Sequence, residues 1–387
     1  MSSARAVYLD YNASAPLCPE AAAAMAPWLQ PAASNPSSVH RVGQRARAAV
    51  ERARAAVAGL LGCQPASVVF TSGGTEADNA ALWGALGWPP GGHLLISAVE
   101  HPAVVEPASA LGDLGVELTA VPVDAEARVD PAAVRGALRD DTRLVSVMAA
   151  NNEVGTLQDI EAIAALAHQA GALFHTDAVQ AAPWIDLRPL TAACDLLSIS
   201  SHKLGGPLGM GALYVRPGLD LVPFIRGGGQ QGGRRGGTEA TAPMVGFAAA
   251  CERAVEQREA AAARVCGLRD RMEEALVSAI DGVRRNGAGA ARLPNTCHLA
   301  FARCDGNALV ARLDLDGIAA SAGAACAGGV AHGSAVLDAM SVPREYQAGA
   351  LRLSLGYETS GDDVERAISI VPEAVAALRE AGVAAVR

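Results

Sequence analysis

Short apolar runs, each closed by polar or glycine-rich residues, recur along the first half of the chain, and alanine-rich stretches of helical spacing separate them. Ser67–Thr71, His93–Ser97, Glu117–Val123, Arg143–Ala149, Leu173–Thr176 and Asp195–Ser200 have the length and bounding of strands, and Gly211–Val215 follows them. Arg41 to Leu61 reads as a helix stopped by Gly62, with further helices over Ala77–Leu86 and Gln158–Ala170. Strands alternating with helices predict an α/β fold: a mostly parallel sheet, covered on both faces, with ligands at the strand C-terminal ends.

The pattern changes after a long charged helical stretch, Thr241 to Ile280. Beyond Gly282 come short strands at Thr296–Phe301 and Leu351–Ser354 with helices over Gly306–Leu313 and Asp362–Leu378, which predict a second α+β domain. The opening residues Tyr8–Pro16 form a short strand running into a turn and are expected to return to that domain. The division is therefore 14–251 for the large domain, and 1–13 with 252–387 for the small one.

Composition narrows the function classes. A chain of 387 residues, 51% hydrophobic, with aromatics at only 4%, buries a large core packed through small residues. Its net charge of −9 argues against nucleic-acid or membrane-surface partners, which want a basic face. Asp10 interrupts any signal peptide and no run approaches a membrane span, so a cytoplasmic protein is expected. Eight cysteines show neither CxxC nor zinc-ligand spacing, and the expectation for each is a buried reduced thiol.

Polar groups collect where the strands end. Cys194–Ile199 runs into Ser200, Ser201, His202 and Lys203 before a glycine-rich loop, which sets one amine in a polar pocket. Such a lysine is either a surface point charge or a Schiff-base lysine beside phosphate-binding hydroxyls. Strand Ser67–Thr71, the turn Ser72–Glu76 and the following helix make an anion site. It is neither GxGxxG nor GxxxxGK[ST], so a phosphate monoester fits better than a dinucleotide or nucleoside triphosphate. The same rim carries Glu100-His101, Asn151-Asn152-Glu153, His175, Asp177 and Gln180. The dense glycine loop 227–238 bears two arginines and ends in Thr238, a candidate helix cap, and Cys326 sits in the small-residue loop Ser321–Ser334.

Read in order, YLDYNASAP, NPSSVH, TSGGTEADN, EHPAV, NNEVGTLQ, HTDAVQA, DLLSISSHKLGGPLGMGALYV, GGGQQGGRRGGTEA, LPNT, GAACAGG, VLDAM and LRLSLG resemble the cysteine desulfurases of the NifS/IscS group. These belong to the class V, fold-type I pyridoxal-phosphate enzymes. The resemblance covers nearly the whole chain and implies a large domain with a mostly parallel seven-stranded sheet plus a smaller α+β domain. It implies that Lys203 holds pyridoxal 5′-phosphate and moves protons, that Asp177 faces the pyridine nitrogen, that His101 lies over the ring as an acid/base, and that Gln180 donates to the phenolic oxygen. Gly74, Thr75, Ser200 and His202 would hold the phosphate, with Thr238 reaching it from the partner subunit of a homodimer. Asn152 and Arg352 would bind the substrate carboxylate, although Arg352 read by itself is a salt-bridge residue.

Cys326 would take sulfur from L-cysteine as a persulfide, leave alanine, and pass the sulfur to an acceptor protein such as an iron-sulfur scaffold or a tRNA-thiolation relay protein. An aminotransferase or β-lyase that leaves Cys326 unused, and a non-catalytic scaffold, are the competing readings. Departures from the family pattern fall at Gln231 (usually Glu), at Gly236, Ala324 and Ala327 (usually Ser), and at Gly333-Ser334-Ala335 (usually Pro-Ser-His). They spare the implied catalytic positions.

Overall fold

The structure is a computed structural model that describes residues 6–29, 35–323 and 333–382. The chain opens on β1 (Val7–Tyr8), and its main sheet is built from β2 (Val68–Thr71), β3 (His93–Ser97), β4 (Glu117–Val121), β5 (Thr142–Ser146), β6 (Leu173–Asp177), β7 (Leu196–Ser200) and β8 (Gly211–Val215). These seven strands lie in the order β2-β8-β7-β6-β5-β3-β4. β3 to β7 pair in parallel, and β8 runs antiparallel to both neighbours. β2, β3, β7 and β8 are buried along their whole lengths, as continuous apolar runs in a sheet covered on both faces should be. The edge strand β4 is mostly exposed.

The Arg143–Ala149 run leaves regular pairing at Ser146, yet the Val147 and Ala149 amides still donate to His175 and Asp177 carbonyls at 3.1 and 2.9 Å. That irregular continuation carries Asn151 and Asn152 past the end of β6.

The remaining strands are β9 (Val283–Arg285), β10 (Thr296–Phe301), β11 (Ile318–Ala319) and β12 (Ala350–Ser354). β12, β10 and β9 form a three-stranded antiparallel sheet, while β11 pairs in parallel with β1. The Asp10 bridge to Ser354 fixes the opening segment there, so residues 10 to 14 run from the small sheet toward β7.

Helix Arg41–Leu61 spans the expected residues, capped by the His40 side chain and ended by Gly62 at φ 71. The long helix Thr241–Ala279 packs on it, on Pro19–Met25 and on Gly361–Glu380. It is not capped by Thr238: Ala240 holds the N-cap position, with no side-chain bond. Pro243 in the first turn lacks an N–H, so one donor that a cap serves is missing. Among the described residues no helix is long and apolar enough to cross a membrane, and no cluster of His, Cys, Asp and Glu could hold a metal.

Candidate active site

β7 ends at Ser200, and the turn Ser201–Lys203 aims the lysine amine back at the opening segment. Its Nζ donates to the Asn12 carbonyl and, at 2.8 Å, to the Ala13 carbonyl. Gln180 Nε2 donates to the same Asn12 carbonyl at 2.9 Å. Lys203 and Gln180 thus converge on one atom, and the segment that brings this atom is held by β11 and β12.

Beside the end of β7, helix Gly74–Leu86 starts ahead of the expected Ala77 and has no side-chain cap, so its first amides stand ready for an anion. A Cβ on Gly74 would come within 2.8 Å of Val179 Cγ2, so a larger residue there would displace Val179, while Ser200 Cβ lies in ordinary contact range at 3.5 Å. Ser201 Oγ, buried without a hydrogen-bond partner among the described residues, lies against Gly206 and away from that helix start. Burial, then the neighbouring Lys203 charge, pushes His202 down to about 4, and its neutral ring faces Ser14 Oγ at 3.3 Å.

Asp177 closes β6, 5% exposed, with Oδ1 accepting from the Val179 amide at 2.8 Å. Burial raises its carboxyl well above the usual range, the Asp78 charge raises it further, and His101 pulls the other way. His101 is the N-cap of helix Pro102–Asp113: its Nδ1 accepts from the Ala103 amide at 3.0 Å.

Arg352 projects from β12 with 2% exposure. Nη2 donates to Asp10 Oδ1 at 2.9 Å and Nη1 to the Asn152 carbonyl at 3.0 Å, while Nε is buried without a partner among the described residues. The salt-bridge reading of Arg352 is met by Asp10, which orients the guanidinium. Beside it, Glu153 accepts from Ser334 Oγ at 2.6 Å, and His298, pushed down to about 3 by burial, turns Nδ1 to Asn286 at 3.0 Å.

Thr238 stands exposed on its loop, outside this buried group. Cys326 lies outside the described residues. Of the other cysteines, Cys18, Cys194, Cys251, Cys297 and Cys304 are buried as expected, whereas Cys63 and Cys266 are only half-buried. Burial pushes the Cys63, Cys194, Cys251, Cys297 and Cys304 thiols up, away from the reactive thiolate.

Residues 7–367 match the family model described as aminotransferase class-V. The chain belongs to that family. Among curated relatives, the cysteine desulfurase IscS of Dictyoglomus turgidum is 41% identical over 378 residues, covering 97% of this chain and 96% of its own. The cysteine desulfurase of Cereibacter sphaeroides is 44% identical over 376 residues, 96% of each chain. A solved NifS-like protein superposes with a TM-score of 0.90 at 33% identity, covering 96% of this chain and all of its own. A structure described as SspA in complex with cysteine gives 0.79 at 32% identity, covering 90% of this chain and 98% of its own. The family works with pyridoxal phosphate, and the residues present fit that group: an uncapped helix start beside Ser200 for phosphate, and a buried Asp177 for a ring cation.

Sequence reasoning misses Asp10, Asp78 and His298 as parts of this arrangement, and lists Glu100 and His175 only as rim residues. Asp10 carried a signal, since it sits inside the motif YLDYNASAP.

Proposed function

We propose that this chain is a pyridoxal-phosphate-dependent cysteine desulfurase, converting L-cysteine to alanine and carrying the sulfur away as a persulfide on Cys326. The observation that carries the reading is the convergence of Lys203 and Gln180 on the Asn12 carbonyl, with Asp177 and Arg352 built into the surrounding strand ends. Relatives named cysteine desulfurase over nearly the full chain disfavour the aminotransferase reading.

When bound, pyridoxal phosphate supplies an electron sink for bonds at the substrate Cα. Lys203 is the amine that holds the cofactor and then moves protons at that carbon. Asp177 pairs with the ring nitrogen, Gln180 and His101 address the ring oxygen and face, and Gly74, Thr75, Ser200 and His202 hold the phosphate. Arg352, oriented by Asp10, forks onto the substrate carboxylate beside Asn152. The Cys326 thiolate attacks the substrate sulfur, the Cβ–S bond breaks with its electron pair going to carbon, and proton delivery to carbon leaves alanine.

The enzyme is a cytoplasmic homodimer in which Thr238, exposed on its loop, reaches the partner's phosphate, and its acceptor is an iron-sulfur scaffold or a tRNA-thiolation relay protein. The division into 14–251 and 1–13 with 252–387 is our reading too, supported by the change from the seven-stranded to the three-stranded sheet. The test is a steady-state assay with L-cysteine alone: alanine and sulfide formed without any 2-oxo acid support the reading, and a requirement for such an acceptor overturns it.

A further inference from the structure

Behind Asp177 lies a second buried acidic layer. His175 and Asp177, two apart on β6, point to the same face of the sheet. Leu144 and Leu196 of the neighbouring strands meet Ala77, Ala81 and Leu82 on that face, so helix Gly74–Leu86 covers it. From that helix Asp78, 1% exposed, brings Oδ1 to 3.5 Å from His175 Nε2. The imidazole is fixed by Ser146 Oγ at 2.8 Å from Nδ1 and Ser198 Oγ at 3.0 Å from Nε2. Ser198 is also the register partner of Asp177 on β7. Asp78 Oδ1 has no hydrogen-bond partner among the described residues.

We propose that Asp78 is a positioning residue for the reaction: set behind Asp177 with His175 and Ser198 beside both, it shares a single negative charge with Asp177 and so decides how firmly Asp177 holds the cofactor's ring nitrogen. The inference rests on the assignment of Asp177 to that nitrogen. Two carboxylates buried on one face of the sheet, with the same imidazole beside both, cannot both ionise without strong repulsion. The partner left protonated acquires a donor, and an O–H on Asp78 directed at His175 Nε2 satisfies the oxygen that otherwise has none.

The titratable groups acting on Asp177 are Asp78 from the helix, Glu100 and His101 from the segment after β3, and His175 from its own strand. His175 is held neutral by burial, down to about 4, so it does not cancel either acid. Burial raises Asp78 as well, with the Ser198 hydroxyl the first influence against it.

The sign follows. Asp78→Asn removes the competing charge without changing shape, leaves the whole charge on Asp177, and moves its proton uptake to lower pH. The test titrates the visible absorbance and cofactor retention of holoenzyme into acid for wild type, Asp78→Asn, Ser198→Ala and Asp177→Asn. The acid limb is expected to fall by about one pH unit in Asp78→Asn. A smaller fall is expected in Ser198→Ala, whose lost hydroxyl leaves Asp78 more protonated. An acid limb that coincides with wild type in Asp78→Asn, whatever its melting temperature, overturns the proposal by leaving Asp78 a packing role alone. Should that variant not fold, an unmoved or raised limb in Ser198→Ala does the same. Wild-type retention and titration in Asp177→Asn would instead refute the assignment of Asp177 itself, which separates the two failures.

Discussion

Replacing Arg352 with lysine tests the substrate end of the site. The guanidinium is 2% exposed and pre-aimed by Asp10 Oδ1 at 2.9 Å and the Asn152 carbonyl at 3.0 Å. A planar fork held this way meets a carboxylate with two parallel charge-assisted bonds, whereas an ammonium offers one point of contact. Each such bond contributes about 1.5–3 kcal/mol, so losing one and the alignment of the other weakens substrate binding by about 2–3 kcal/mol. That corresponds to a rise of about 30- to 150-fold in KM for L-cysteine, at about 1.4 kcal/mol per tenfold. The substituted ammonium can still pair with Asp10, whose side chain keeps 18% exposure, so the fold should survive. The assay is alanine formation against L-cysteine concentration, with cofactor absorbance measured on the same sample to show that the ring and phosphate contacts are intact. A KM within twofold of wild type at unchanged cofactor content would refute the assignment of Arg352.

Three further outcomes follow from other parts of the structure. Gln231 Oε1 accepts from Arg54 Nη1 at 2.7 Å and the Phe70 amide at 2.9 Å while its Nε2 donates to Glu239, so Gln231→Glu sets two carboxylates together. It should cost about 1–3 kcal/mol in denaturant unfolding, with Glu239→Gln restoring most of the loss. Burial raises Glu100 from 4.5 to about 8, so between those values the folded state holds a proton that the unfolded state has released. Stability from this group is full below the lower value and is lost as pH rises toward the upper; Glu100→Gln should flatten the unfolding free energy by about 1.4 kcal/mol per pH unit in that window. Light scattering should give a mass near twice the 39.2 kDa chain, and a fully active species of one chain would contradict the role of Thr238 in a shared site.

Helix Arg41–Leu61 is legible in the sequence because its signals are local: an alanine-rich interior and a glycine just past the last turn. Lys203, Asp177 and the Gly74 turn are legible because strand ends and glycine turns announce themselves within a few residues. Asp78 is not, since its meeting with His175 is set by how a helix lies on a strand formed about a hundred residues later. Nor does sequence explain the Gln231 departure. Only the fold brings Arg54, Phe70 and Glu239 around that side chain, where a neutral amide can accept on one side and donate on the other. The Thr238 cap fails for a related reason: the preference of threonine for helix starts is local, but the start itself falls beyond it, at Thr241.

The most direct test of the central claim is mass spectrometry of the holoenzyme after a brief pulse of L-cysteine. One added sulfur on the peptide bearing Cys326, matched by an equal amount of alanine and absent in Cys326→Ser, is the result expected. Sulfur on the peptides bearing Cys18, Cys63 or Cys194 instead, or a Cys326→Ser variant as active as wild type toward L-cysteine, would contradict it.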